Sequence, residues 1–235
     1  IMVCISENSR EKELQYIDLL YSHRVLGIVV CSHIGETMEH LDSNCPLISF
    51  EREIAENIPA VLCDNYQGGI LAANRLFDAG CRNIAIFNTP TKENIPAYSR
   101  EKAFMKCCED KKISGRVVYT DRLAPLSEEF GNNILELLKK NSDLDGIFAT
   151  SDVMAANIIR ACKKMGKRVP EDISIVGFDD TWISTLTYPS ITTIHQPVRE
   201  MCEYAIEAIV KKVKSEKVPS QVVFPVELID RESTK

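Results

Sequence analysis

Three observations predict an α/β fold built from doubly wound, Rossmann-like lobes with parallel sheets. Short β-rich apolar runs alternate with longer segments of helical period along the whole chain. Most of the runs are continuously apolar rather than alternating, as strands buried on both faces of a parallel sheet must be. The 235 residues are too many for one such sheet and suit two lobes of about 100 residues each.

In chain order, Ser9 is a predicted N-cap for a helix carrying Leu14, Ile17, Leu20 and Tyr21. Strands follow at 26–30, 47–50 and 60–63. Ile70, Ala73, Leu76 and Phe77 form a helical stripe that stops at Gly80, a C-cap signal. A strand at 84–87 leads to a helix marked by Ala103, Phe104, Cys107 and Cys108, and a strand at 117–119 to one marked by Ile134, Leu135, Leu137 and Leu138. After a strand at 146–149, Ser151 or Asp152 caps a helix through Ala155, Ile158, Ile159 and Cys162 that closes at Gly166. Strands at 173–178 and 191–194 precede the clearest amphipathic pattern: Val198, Met201, Cys202, Ala205, Ile206, Ile209, Val210 and Val213. No repeat and no Gly/Ser linker separates two halves, which implies a chain that passes between the lobes more than once.

Composition excludes several function classes. Hydrophobic residues make up 45% and charged residues 26%, and the net charge is −6. A surface that grips nucleic acid needs a basic stripe; the longest basic clusters, Lys111-Lys112 and Lys211-Lys212, are short, flanked by acids and read as solvated helix ends. No apolar run approaches the roughly 20 residues that span a bilayer. The start, Ile1-Met2-Val3-Cys4-Ile5, has neither the basic residues nor the apolar length of a secretory signal, although a processed secreted chain would look the same. The nine cysteines are odd in number, scattered and without a C-x-x-C pair. They read as reduced thiols of a cytoplasmic protein, with a disulfide framework or zinc site as the alternative.

Catalytic signatures are absent: there is no G-x-S-x-G, G-x-x-x-x-G-K-[ST], G-x-G-x-x-G or H-E-x-x-H. His23, His33, His40 and His195 have no metal-ligand spacing, so neither a metal nor a cofactor is expected. Gly68-Gly69, at a helix start, either cradles an anion or lets helix and strand approach closely, and the second use is the commoner. Asp179-Asp180 suits capping or ligand hydrogen bonds better than general acid–base work, because adjacency alone does not separate two carboxyl roles. Ligands of open α/β sheets bind beyond the carboxyl ends of the strands. The polar residues expected there are Glu51-Arg52, Asn88, Ser151-Asp152 and Asp179-Asp180. Acids, amides and a hydroxyl in such a place suit a polyhydroxylated small molecule.

Several phrases in one order resemble the LacI/GalR family of bacterial regulators. They are Asp64-Asn65-x-x-Gly68-Gly69, 79–85 (Ala79-Gly80-Cys81-Arg82-Asn83-Ile84-Ala85), Arg100-x-x-Ala103-Phe104, Thr150-Ser151-Asp152-x-x-Ala155, the stretch from Val169-Pro170 to Asp179-Asp180, the stretch from Pro189-Ser190 to Gln196-Pro197, and Glu227-Leu228-Ile229-x-Arg231-Glu232-Ser233. The resemblance implies a periplasmic-binding-protein-like fold of two lobes joined by three crossovers. The first would span 1–62 plus 198–225 and the second 63–197 plus 226–235, with an effector cleft between them. It implies a non-enzymatic sensor, a sugar-like effector, a homodimer, and operator DNA bound only through a headpiece that has no counterpart here. Residues 1–5 resemble the family's second strand.

Residue by residue, the resemblance assigns Arg100 and Asp179 to effector hydroxyls, Gln196 to the cleft lining, and Ser151 to a position where the family often has a ligand-contacting asparagine. Glu51 stands for the usual aspartate, one methylene longer. Asn94 stands where the purine-responsive branch has an arginine, which argues for a sugar over a purine. The aromatic that stacks on effector falls in 123–126, where none is present; Phe130 is the expected substitute. A periplasmic receptor of the same fold and an enzyme on this architecture are the alternatives.

Overall fold

The computed structural model describes residues 1–7, 9–31, 45–90, 95 and 98–235. The chain divides into two compact units, one of 1–63 plus 197–224 and one of 64–196 plus 225–235, so that it passes from one to the other three times.

The first unit contains α1 (Arg10–Ser22), β1 (Ile28–Val30), β2 (Leu47–Phe50), β3 (Ala60–Cys63), α7 (Val198–Val213) and β9 (Gln221–Phe224). Its sheet has the order β1-β2-β3-β9 and every pairing is parallel. Ser9 caps α1 by accepting from the Lys12 amide. Helix α7 lies over β1, β2 and β3 and buries Met201, Ala205, Ala208 and Ile209, the i, i+4, i+7, i+8 positions of its stripe.

Two expectations for this unit are corrected. Residues 1–5 form no strand, and Ile1, Val3 and Ile5 are exposed. Apolar β-rich residues make a strand only where a neighbouring ladder takes their amides and carbonyls, and none of the described strands pairs with them. Of 26–30, only Ile28–Val30 pairs, with Leu47–Ser49 of β2.

The second unit runs α2 (Asn65–Asp78), β4 (Asn83–Asn88), α3 (Tyr98–Lys111), β5 (Ser114–Tyr119), α4 (Glu128–Lys140), β6 (Gly146–Ala149), α5 (Asp152–Lys164), β7 (Ser174–Asp179), the short α6 (Trp182–Leu186), β8 (Thr192–His195) and β10 (Glu227–Ile229). Its sheet order is β10-β8-β7-β6-β4-β5. All pairings are parallel except that β10 joins β8 antiparallel. Gly80 and Gly166 take φ of +86° and +72° just after α2 and α5, the left-handed turn that closes a helix.

Alternate residues of the central strands face opposite layers. Ala85, Phe87, Ile147, Ala149 and Ile175 pack against Phe130, Ile134 and Leu138 of α4 and Ala155, Ile158 and Cys162 of α5. On the other face Phe104 of α3, Phe148 and Phe178 stack in sequence, with ring centroids 5.8 and 6.3 Å apart. Each fully buried ring contributes about 1.5–3 kcal/mol. The chain goes from β4 outward to β5, then returns past β4 to β6. The order therefore reverses between β4 and β6, the place where open α/β sheets take ligands.

Candidate functional site

The carboxyl edge of the six-stranded sheet gathers Asn88 from β4, Thr150 and Ser151 after β6, Asp179 and Asp180 at the end of β7, and His195 and Gln196 at the end of β8. Parallel pairing puts all of these at one edge. Arg100, in the first turn of α3, joins them and is 7% exposed. Its Nε donates to Asn65 Oδ1 at 2.5 Å, its Nη1 donates to the Thr150 carbonyl at 3.1 Å, and its guanidinium carbon lies 3.4 Å from the Phe178 ring centroid. A desolvated cation over a ring face is worth about 2 kcal/mol. Among the described residues Nη2 makes no hydrogen bond, so its N–H groups are the ones available to a ligand.

Asp179 is the residue after Phe178. Its Oδ1 accepts from Gln196 Nε2 at 2.6 Å. Asp180 accepts at Oδ1 from Arg231 Nη2 at 2.6 Å and pairs at Oδ2 with His195 Nδ1 at 2.9 Å. Burial works to raise the Asp180 carboxyl, but the hydrogen bonds from Arg231 and His195 outweigh it and hold it below its ordinary value. The two acids are adjacent in the chain. Both have positive φ, +103° and +54°, a backbone cost of about 1–3 kcal/mol each that surrounding bonds must hold in place.

Ser151 caps α5, its Oγ accepting from the Met154 amide at 3.2 Å, and the hydroxyl hydrogen is left to donate elsewhere. Asn88 donates to Glu101 Oε2 at 2.9 Å, and Glu101 Oε1 accepts from the Tyr119 hydroxyl at 2.7 Å. That bond, with some burial, pushes the Tyr119 phenol up to about 12. Gly68 and Gly69 serve packing: an added Cβ would lie 2.7 Å from Phe178 Cε2 and 2.3 Å from the Arg100 carbonyl oxygen respectively.

Glu51, Asn94 and Phe130 complete the expected set. Glu51 belongs to the first unit, at the end of β2, with φ +52°. Its longer side chain turns onto β3, where Oε1 accepts from the Cys63 amide at 2.5 Å. Asn94 lies outside the described residues. Phe130 does not line this edge: it is buried under α4, because the i, i+4, i+8 row Phe130, Ile134, Leu138 is the face α4 turns to the core. None of the nine cysteines is in a disulfide. Among the described residues no group of three His, Cys, Asp or Glu is placed to hold a metal ion, and no helix is long and apolar enough to cross a membrane.

Sequence reasoning missed Asn65, the Phe178 ring and the Thr150 carbonyl as partners of Arg100, and Arg231 as the partner of Asp180. The motifs that contain them were visible, but the pairings were not.

The periplasmic binding protein-like domain family matches residues 73–234. The ribose operon repressor of Halalkalibacterium halodurans is 31% identical over 236 residues, covering 100% of this chain and 70% of the repressor. The sucrose operon repressor of Lactococcus lactis subsp. lactis is 28% identical, covering 97% of this chain and 70% of that protein. A solved periplasmic binding protein/LacI transcriptional regulator from Alkaliphilus metalliredigens, complexed with D-xylulofuranose, is 32% identical with a TM-score of 0.85, covering 100% of this chain and 87% of that one. With its fold, its strand-end polar edge and this likeness along its whole length, the chain belongs to the LacI family of transcription regulators, as the periplasmic-binding-protein-like effector domain.

Proposed function

We propose that this domain senses a neutral sugar or sugar derivative and passes its occupancy to a DNA-binding headpiece on the same regulator. One observation carries the reading. Arg100 is immobilised over Phe178 with N–H groups unspent among the described residues, and the next residue after Phe178 is the acceptor Asp179. A fixed donor and a fixed acceptor at one strand edge recognise vicinal hydroxyls, and neither needs a charged ligand. Ser151 and Gln196 supply further polar contacts, Glu51 and Asn94 are assigned to the same ligand, and the relative bound to D-xylulofuranose supports a sugar of that class.

Binding rather than catalysis is favoured because the carboxylates at this edge are already committed to hydrogen bonds. Asp180 is tied to Arg231 and His195, and Asp152 to Thr181 and Thr193. Effector would bias one conformation by binding it more tightly than the other. In a homodimer that bias would set headpiece spacing on operator DNA. The test is a thermal-shift screen against mono- and disaccharides, sugar phosphates, nucleobases and nucleosides. A ligand at 100 times its Kd adds about 2.7 kcal/mol, several degrees in a domain of this size. The expected result is a sugar hit that disappears in Arg100→Ala and in Asp179→Ala. A hit confined to purines would overturn the assignment.

A further inference from the structure

We propose that Asn65-x-x-Gly68-Gly69 is the seat of Arg100, and that Asn65 is a positioning residue for effector binding. The inference rests on the reading of Arg100 as an effector ligand and names what makes that arginine competent.

Helix α2 does not need Asn65 for its own start. Asp64 is the N-cap and its Oδ1 accepts from the Gln67 amide at 2.8 Å. Asn65 is the first residue inside the helix, where an asparagine side chain adds nothing to helix propensity. It is 2% exposed, and its Oδ1 takes Arg100 Nε at 2.5 Å. A guanidinium presents five donors in a rigid planar fork. Fixing Nε and one Nη1 hydrogen therefore fixes the direction of every other N–H. Thr150 supplies the second fixed point through its carbonyl.

The glycines complete the seat. At Gly68 an added Cβ would lie 2.7 Å from Phe178 Cε2, so glycine there admits the ring on which the guanidinium rests. At Gly69 it would lie 2.3 Å from the Arg100 carbonyl oxygen, so glycine there admits the backbone of α3 where it carries Arg100. The motif thus supplies the Nε acceptor and the two clearances, directly after the cap Asp64. Neither glycine is needed as an anion cradle.

A floppy arginine would have to be ordered by each incoming ligand, and ordering a long side chain weakens binding. Asn65→Leu should therefore weaken sugar binding without touching sugar, by about tenfold, the scale of one hydrogen bond to a charged group. Asn65→Asp retains the acceptor and should rescue.

Two readouts test this on the whole domain. The first needs no ligand: the Arg100 Nε–H signal in a 15N NMR spectrum, identified by its loss in Arg100→Lys. It should be protected from solvent exchange in the wild type and in Asn65→Asp, and unprotected in Asn65→Leu. If Asn65→Leu folds poorly, Asn65→Ser serves in its place. A protected signal in the leucine or serine variant would overturn the seat. The second is titration calorimetry with D-xylulose and D-ribose. Asn65→Leu should bind about tenfold more weakly than wild type, and Asn65→Asp should bind close to wild type. A lost NMR signal with unchanged affinity would overturn the positioning role. Unchanged affinity in Arg100→Ala would instead sink the effector reading of Arg100, while the NMR result still decides the seat. The NMR result also decides the seat if neither sugar binds the wild type.

Discussion

Asp152 clamps Thr181: its Oδ2 accepts from the Thr181 amide at 2.6 Å and from the Thr181 hydroxyl at 3.1 Å. Its Oδ1 accepts from Thr193 Oγ1 at 2.6 Å, and the residue is wholly buried. The clamp closes the turn that follows the positive-φ pair Asp179 and Asp180. Burial pushes the Asp152 carboxyl above its ordinary value, with the threonine bonds opposing it. A carboxyl raised in the folded state favours folding fully below its unfolded value of 3.8, and that contribution fades as pH rises through the folded value. Thr193→Val removes one opposing bond and so raises the carboxyl further. It should cost about 1–3 kcal/mol at neutral pH and less as the carboxyl protonates. Urea unfolding of both proteins between about pH 4 and pH 7 measures this; a penalty independent of pH would show that Asp152 does not change charge over that range.

Gly69 and Gly131 predict opposite signs for one substitution. Glycine to alanine within a helix ordinarily stabilises by about 0.5–1 kcal/mol. At Gly131 of α4 the added Cβ would meet only Asn157 Oδ1, at 3.5 Å, so Gly131→Ala should show that gain. At Gly69 the obstacle is the Arg100 carbonyl at 2.3 Å. Backbone cannot step aside as a side-chain tip can, so Gly69→Ala should lose about 1–3 kcal/mol through overpacking. Chemical denaturation of the two variants decides it; equal effects would mean that α2 and α3 are not in close contact.

The Asp180–Arg231 pair predicts acid sensitivity. Asp180 is held below its ordinary 3.8. Its stabilising contribution is therefore complete above that value and lost as pH falls through the lower folded-state value. Arg231→Met removes the main opposing partner, leaves the desolvated carboxylate to His195 and the Ser184 hydroxyl, and breaks the bond to the Ile191 carbonyl. The variant should lose about 2–4 kcal/mol at neutral pH, and its acid unfolding midpoint should move to higher pH. A midpoint that stays in place, followed by circular dichroism, would contradict the pairing.

Trp182, Leu186 and Tyr188 are 71%, 73% and 91% exposed around α6 in the second unit. If the proposed homodimer covers them, Leu186→Glu should shift sedimentation from dimer to monomer while leaving the melting curve of the monomer intact. Unchanged sedimentation would place the dimer contact elsewhere.

Much of this fold is legible in the chain because buried parallel strands must be apolar throughout. Runs such as 47–50, 60–63 and 146–149 appear as strands with those bounds. β9 and β10 escaped notice because they are short and nowhere fully buried, exposed at alternate positions in Gln221–Phe224 and at Glu227 in Glu227–Ile229. Residues 1–5 show the converse. Their composition suits a strand, but pairing is a property of the neighbour and not of the run.

The sequence alone determined the candidates for binding: Arg100, Asp179, Ser151 and Gln196 follow from strand ends and from the family's phrases. Only the tertiary structure decided what holds them. Asn65 and Arg100 are 35 residues apart and Thr150 and Arg100 are 50 apart. Phe130, aromatic and near the expected place, went to the core. Local periodicity records which face of an element is apolar. The strand order β5-β4-β6-β7-β8 and the closeness of α2 to α3 decide which polar ends meet, and these arise from packing among elements distant in the chain.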